Sequence, residues 1–327
     1  MEMKTITKRN LGKNGPFVST LGLGCMRMSN SFGGQAKDEA ESIATIQAAL
    51  DNGINFINTA DFYGSGHNEL LVGRAVKGRR DQAVISVKFG LQMTSGGGII
   101  GLDLRPASIK NYIAYSLVRL GVETIDIYQP ARLDPSVPIE DVVGAVADLI
   151  KDGKVRYLGM SEVNAEQLSK AHSIHPVTAL EIEYSLAKRQ IEPDILPKAR
   201  ELGIGIVAYS ITAQGLLTGT VKTPLGPNDP RKRLPRFQEE NLLKNLKKVE
   251  VLTSMANDKG YTPTQLAIAW LLTRGQDIMP LIGMSKRSRI TENMQALEIT
   301  FTEEELNKLS TTFALGAILG DSYPAHR

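Results

Sequence analysis

Gly53-Ile-Asn-Phe-Ile-Asn-Thr-Ala-Asp61-Phe-Tyr63-Gly64 is apolar from Gly53 to Ile57 and then ends in a carboxylate and a phenol two residues apart. Helical spacing precedes it over Asp38–Asn52, with Ile43, Ile46, Ala49 and Leu50 on one face, and a second helix is expected near Asn68–Lys77. A short apolar run between two helical patterns reads as a buried strand, Ile54–Asn58, in a strand–helix unit.

The same alternation extends in both directions. Before it lies the Gly-bounded run Val18–Gly24. After it come Ala83–Lys88, a helix over Pro106–Leu120, Ile125–Gln129, and a helix from Pro138 to Lys151 that stops at Gly153. Val155–Met160, a helix at Ala165–His172, Thr178–Glu183, a helix at Glu192–Leu202 and Ile204–Ala208 continue it. A helix-rich portion from Phe237 to Arg274 leads to Ile278–Gly283, a helix near Lys286 and a last helix over Glu303–Phe313, where Thr302 and Glu305 make a capping-box pattern. About eight such units with no break in composition predict a (β/α)8 TIM barrel, one domain over residues 1–327, with extra C-terminal helices. Lys4–Ser19, with its Gly12-Lys-Asn14-Gly15 turn, reads as a small β-hairpin capping the barrel floor. A doubly wound sheet is the alternative, and neither Gly22-Leu-Gly24 nor Gly64-Ser-Gly66 completes a Gly-x-Gly-x-x-Gly turn.

The 42% hydrophobic and 22% charged content of the 327 residues suits a soluble globular chain with a large core. A net charge of +3 gives no reason to expect nucleic acid but suits an anionic cofactor. Cys25 is the only cysteine, which excludes an intrachain disulfide and a cysteine zinc site. No run is long enough to span a membrane, and Met1–Arg9 lacks a signal-peptide apolar core, so a cytoplasmic protein is expected. Residues 92–104 and 222–238 are loops, the first with Gly96-Gly-Gly98 suggesting mobility, the second with four prolines and Arg231-Lys232-Arg233. Substrate selectivity is expected there.

Taken singly, Asp61 could be a turn residue, Tyr63 an interfacial aromatic and Lys88 a surface cation. On a barrel all three fall at the C-terminal ends of strands, the face where catalytic groups gather. Lys88, at the end of Val84-Ile-Ser-Val-Lys88, is then expected to pair with Asp61 and lower the pKa of Tyr63.

With these residues in place the chain resembles the aldo/keto reductase superfamily over essentially its whole length. The carrying motifs are the opening stretch, Val87-Lys88-Phe89-Gly90, Asp126-Ile-Tyr-Gln129, Gly153-Lys-Val-Arg-Tyr-Leu-Gly159-Met-Ser161, Glu183-Tyr184-Ser185-Leu186, Gln214-Gly-Leu-Leu-Thr-Gly219 and Pro280-Leu-Ile-Gly283 with Glu292-Asn293. The resemblance implies an NADP(H)-dependent barrel enzyme that reduces an aldehyde or ketone. Hydride comes from the nicotinamide and the proton from Tyr63, with Lys88 and Asp61 as its tuning pair. The family's active-site histidine, in a Tyr-Gln-x-His-Arg pattern, is replaced here by Ala131 within Tyr128-Gln-Pro-Ala131-Arg132. Branches similar to pyridoxal reductases also vary at this position. His67, four residues beyond Tyr63, is read as part of the next helix rather than as a substitute.

For the cofactor, the resemblance implies Ser161 and Glu181 at the nicotinamide carboxamide, Glu181 standing where the family has Gln. Tyr209 would stack on the ring, with Ser210 beside it. Gly283, Ser285, Lys286 and Arg289 would take the adenosine 2′-phosphate, and Glu292 and Asn293 the adenine. A cofactor-binding regulatory or interaction protein on the same scaffold is the second reading. Ala131 keeps it open, and the retained Asp61, Tyr63 and Lys88 favour the enzyme.

Overall fold

The computed structural model describes residues 6–29 and 38–324. Lys4 and Thr5, the start of the expected hairpin, lie outside the described residues. An antiparallel pair, β1 (Lys8–Asn10) and β2 (Phe17–Ser19), comes first. It is followed by β3 (Gly22–Gly24), α1 (Glu39–Asp51), β4 (Phe56–Ala60), α2 (His67–Val76) and β5 (Val84–Phe89). A second antiparallel pair, β6 (Leu91–Met93) and β7 (Ile99–Leu102), leads to α3 (Pro106–Leu120) and β8 (Ile125–Pro130). Next come α4 (Ile139–Lys151), β9 (Val155–Ser161), α5 (Ala165–Ile174), β10 (Val177–Glu183), α6 (Ile195–Glu201) and β11 (Gly205–Tyr209). α7 (Glu239–Lys259) and α8 (Pro263–Leu272) precede β12 (Ile278–Gly283), and α9 (Ser288–Met294) and α10 (Glu303–Thr312) follow it.

Eight of these strands, β3, β4, β5 and β8 to β12, run parallel and close on themselves. The last seam pairs Leu281 with Gly22 and Gly283 with Gly24. This is the (β/α)8 barrel the alternation predicts. Parallel strands buried on both faces are predominantly apolar, and β4, β8 and β10 have no exposed position, their buried polar exceptions including Asn58, Gln129, Glu181 and Glu183. Helix ends follow their local chemistry. Asp38 caps α1 by accepting from the Glu41 amide at 3.1 Å, and Thr302 and Glu305 form the expected capping box on α10.

The hairpin closes the floor. Leu11 and Val18 enter the barrel interior with Phe56, Ile127, Ala179, Val207, Met279 and Leu281. Gly12, at φ +73°, lies so close to the starts of β10 and β11 that a Cβ would fall 2.5 Å from the Thr178 carbonyl oxygen. The Lys13 amide donates to the Gly203 carbonyl at 2.7 Å, and the Asn55 side chain accepts from Ser19 and donates to Phe17. The floor is sealed by packing, which leaves the opposite rim for chemistry.

Several boundaries differ from expectation: the run Val18–Gly24 is split between β2 and β3, the helix expected from Glu192 begins at Ile195, and residues 222–238 hold two short 3-10 turns. β4 begins and ends two residues later than Ile54–Asn58, because Gly53 and Ile54 complete the turn out of α1 through bonds to Leu50 and Ala49. Residues 92–104 are not a featureless loop: the Gly96–Gly98 stretch turns the β6–β7 ribbon, with Thr94 and Gly98 bonded across it. The portion from Phe237 to Arg274 resolves into two helices separated at Gly260, whose φ of +74° ends α7.

Candidate active site

Asp61, Tyr63 and Lys88 do gather at the C-terminal rim, but not in the expected pairing. The Lys88 ammonium has three N–H donors. Its acceptors are Asn58 Oδ1 at 2.6 Å, Glu181 Oε1 at 2.9 Å and the Thr59 carbonyl at 3.3 Å. Glu181 arrives from β10, across the barrel interior, and both partners of the pair are buried. Its other oxygen accepts from Asn58 Nδ2 at 2.7 Å and Gln129 Nε2 at 2.5 Å. Room for Gln129 comes from Gly159, where a Cβ would lie 2.6 Å from the amide oxygen. No side-chain ion pair joins Asp61 to Lys88. Only the backbones meet, the Asp61 amide donating to the Lys88 carbonyl at 2.9 Å.

In place of Lys88, the Asp61 carboxyl is bonded by the backbone amides of Gly90 and Phe62. It lies in the electrostatic field of Glu69 and Arg119, and its Oδ1 is buried without a partner. Glu69, fully buried on α2, is held by Arg119 at 2.5 Å. Burial and the Glu69 charge hold the Asp61 carboxyl well above the usual carboxylate range, against the pull of Arg119. Burial likewise raises Glu69, again opposed by Arg119. A carboxyl raised on folding contributes stability at pH below its unfolded value, and loses it as pH climbs through the folded value. Asp61→Asn, which cannot ionise, is therefore expected to stabilise the fold near pH 8. The gain should vanish near pH 4 in thermal melts run across pH.

Tyr63 is 7% exposed, and the Lys88 ammonium lies 5.2 Å from its ring centroid. The tyrosine's pKa is raised, not lowered. Burial acts first, Lys88 pulls down through its charge and a hydrogen bond, and the Glu181 charge pushes up again. The Lys88 pKa is also raised: burial lowers it, but Glu181 and Tyr63 more than compensate.

Ala131 sits 2% exposed in one small apolar cluster with Ala60, Phe62 and Tyr63, fringed by Met26, Leu91 and Met93. The wall beside the phenol is therefore hydrocarbon. His67 opens α2 and is bound on both sides, to Ser29 Oγ at 2.9 Å and Glu39 Oε1 at 2.7 Å, so it does not replace the missing histidine.

The other predicted residues lie at or beyond the C-terminal ends of β9, β10, β11 and β12. Ser161 ends β9, 1% exposed, and its hydroxyl bonds no described residue. Asn293, on α9 and 5% exposed, also has a side chain with no hydrogen bond to a described residue. Tyr209 ends β11; burial first, then the Glu162 charge, raises its pKa well above the usual phenol value, while Arg132 opposes. Ser210 has φ +59° and accepts from Gln214 Nε2 at 3.1 Å. Gly283 and Ser285 lie at the end of β12 and just beyond it, and Lys286 is exposed without an ion pair to a described residue. Arg289 is exposed and holds Glu292 through two bonds, 2.7 and 2.6 Å.

Sequence reasoning missed a second buried cluster at this rim. Arg236 donates to Gln214 Oε1 at 3.1 Å and to Ser322 Oγ, and lies 3.6 Å from Glu183. Ser322 donates to Glu183 Oε2 at 2.5 Å. Tyr323 follows and acts electrostatically on Tyr63, Tyr209 and Arg132. The signal was present as one arginine inside a proline-rich segment, but its partners lie far away in sequence.

A profile of the Aldo/keto reductase family matches residues 20–312. A probable aldo-keto reductase 1 from Glycine max is 39% identical over 325 residues, 99% of this chain and 93% of that protein. Among solved structures, the glycerol dehydrogenase of Gluconobacter oxydans superposes with a TM-score of 0.86 at 30% identity, covering 99% of this chain and 100% of that one. The holo form of an aldo-keto reductase from Bacillus halodurans gives 0.78 at 27% identity, over 98% and 99% of the two chains. Among the described residues no helix is long and apolar enough to cross a membrane, and no cluster of side chains could hold a metal ion.

Proposed function

The chain belongs to the aldo/keto reductase family, and from that premise we propose that it reduces an aldehyde or ketone with NADPH, Tyr63 giving the proton. The observation that carries this reading is a buried phenol beside a buried ammonium at the open rim of a closed barrel, with a hydrocarbon wall next to it. As hydride adds to the carbonyl carbon, negative charge develops on oxygen, and Tyr63 is placed to protonate it while Lys88 stabilises the phenolate left behind.

Two buried side chains with free hydrogen-bonding groups, Ser161 and Asn293, fit the carboxamide and the adenine of a nicotinamide dinucleotide. The cofactor supplies the hydride when bound. Ser161 takes the carboxamide contact without Glu181, whose two oxygens are engaged by Lys88, Asn58 and Gln129. Tyr209 and Ser210 flank the ring. Gly283, Ser285, Lys286 and Arg289 line the place for a 2′-phosphate, where a cation adds favourable charge-assisted bonds. Glu292, now bonded by Arg289, would contact the adenine. The +3 net charge and the exposed Lys286 favour NADP(H) over NAD(H).

Ala131 cannot donate a hydrogen bond to the carbonyl, and its small side chain beside Tyr63 suits a bulkier substrate, pyridoxal-like, sugar-derived or xenobiotic. The test is NADPH oxidation against a panel of such carbonyls. Tight NADPH binding with no turnover on any member would favour a binding protein over the enzyme. Arg289→Ala should weaken NADPH about tenfold or more while changing NADH little, as befits loss of one charge-assisted contact of about 1.5–3 kcal/mol. Equal weakening of both would remove the 2′-phosphate assignment.

A further inference from the structure

The buried pair formed by Lys88 and Glu181 asks for a role of its own. A buried ion pair is costly to desolvate, and is retained only where its remaining lone pairs and protons are satisfied. This one is satisfied on both sides. The ammonium has three acceptors, Asn58, Glu181 and Thr59, and the carboxylate has three donors, Lys88, Asn58 and Gln129. Asn58 bridges the two, its amide oxygen on the lysine and its amide nitrogen on the glutamate. The three strands β4, β5 and β10, with Gln129 from β8, thereby fix the lysine's position and its compensating charge together. Asp61, one strand end away, contributes no side-chain contact to this unit.

We propose that Glu181 is the positioning residue of the proton donor: its carboxylate, rather than that of Asp61, holds the Lys88 ammonium beside the Tyr63 hydroxyl and offsets its charge. This deepens the reductase reading and rests on Tyr63 being the acid. Lys88 also bonds the Tyr63 hydroxyl, and its longest contact, to the Thr59 carbonyl at 3.3 Å, is the one that loosens as a tyrosinate draws the ammonium closer. The Glu181 charge works against that tyrosinate. It keeps Tyr63 protonated over a wider pH range, the form that carbonyl reduction needs, at the expense of alcohol oxidation, which needs the phenolate.

Among the described residues, the charged and titratable groups acting on this unit can be named. Lys88 and Glu181 act on Tyr63 from β5 and β10, Tyr323 acts from the C-terminal segment, and Cys25, its thiol pushed up to about 12 by burial, adjoins Lys88. Removing the Glu181 charge should therefore lower the pH at which Tyr63 ionises, and removing Asp61 should not.

The test is an ultraviolet difference titration of tyrosinate, each variant read against the same variant carrying Tyr63→Phe, with no cofactor or turnover required. Glu181→Gln is expected to move the Tyr63 transition down by about one pH unit or more, a tenfold change in the proton equilibrium. The onset of alcohol oxidation in the pH profile should move with it. Glu181→Asp retains the charge and should keep the titration within a few tenths of a unit of wild type while kcat falls, because the shorter side chain draws Lys88 away. If Glu181→Gln does not fold, the aspartate variant decides. A transition as low as that expected without the charge would overturn the assignment. So would a downward shift in Asp61→Asn with none in Glu181→Gln. Absence of carbonyl turnover beside an intact titration shift would sink the reductase reading and leave the counterion assignment standing.

Discussion

Tyr63→Phe is expected to lower kcat for carbonyl reduction by about 10²–10⁴-fold, the usual weight of a positioned acid. That factor corresponds to roughly 3–5 kcal/mol of transition-state stabilisation. NADPH affinity, followed by fluorescence quenching, should stay within about twofold. The ring, its edge contact with Phe62 and the apolar cluster with Ala131 survive the change; only the hydroxyl is lost. Near-normal turnover in the variant would remove Tyr63 from the chemistry. The pH dependence supplies a second check. Because the tyrosine's pKa is raised above its ordinary value near 10, the reducing activity of the wild type should show no loss from this group across the neutral range. A decline is expected only in the alkaline range, as the phenol ionises.

The second large effect is on stability. Arg236→Ala is expected to destabilise the protein by about 3–5 kcal/mol, because it strands the buried Glu183 carboxylate without a cation. The side chains of Arg236 and Glu183 are 1% and 5% exposed, so water cannot substitute. The arginine also anchors the C-terminal segment. Its side chain takes Ser322, its amide donates to the Asp321 carbonyl at 3.3 Å, and Asn245 clasps both the Arg236 carbonyl and Leu319. Gly320 packs against this backbone so tightly that a Cβ would lie 2.5 Å from Pro235. A melting temperature lower by roughly 5–10 °C should be accompanied by new proteolytic cleavage after Leu319. A wild-type melt and an intact C-terminus would show that the cluster carries no such weight.

Much of this was legible from local patterning. The barrel follows from repeated strand–helix alternation, and the gathering of Asp61, Tyr63 and Lys88 at one rim follows from each lying at a strand end. A two-residue error in the limits of β4 did not disturb that, since strand order rather than strand length sets the rim. What local patterning could not supply was partner choice. Lys88 had two carboxylates to choose from, and Glu181 is nearer only because β10 faces β5 across the barrel interior. The raised pKa of Tyr63 owes most to burial, and the Glu181 charge adds to it through that same choice. Arg236 and Ser322 lie 86 residues apart, and nothing in either neighbourhood marks the other. The β6–β7 ribbon was hidden for a different reason: a run of three glycines signals freedom in isolation and a tight turn once flanking strands pair.

The seam between β3 and β12 bears on how the molecule is made. Gly22–Gly24 needs Leu281–Gly283 for its second neighbour, so a ribosome must release more than three-quarters of the chain before the first stave of the barrel is flanked on both sides. Until then the growing polypeptide carries an open sheet edge, the kind of surface on which nascent chains adhere to one another. Slow, late closure of this kind raises the demand for chaperone shelter during synthesis, and it makes truncation anywhere upstream of Gly283 a route to aggregation rather than to a smaller working barrel.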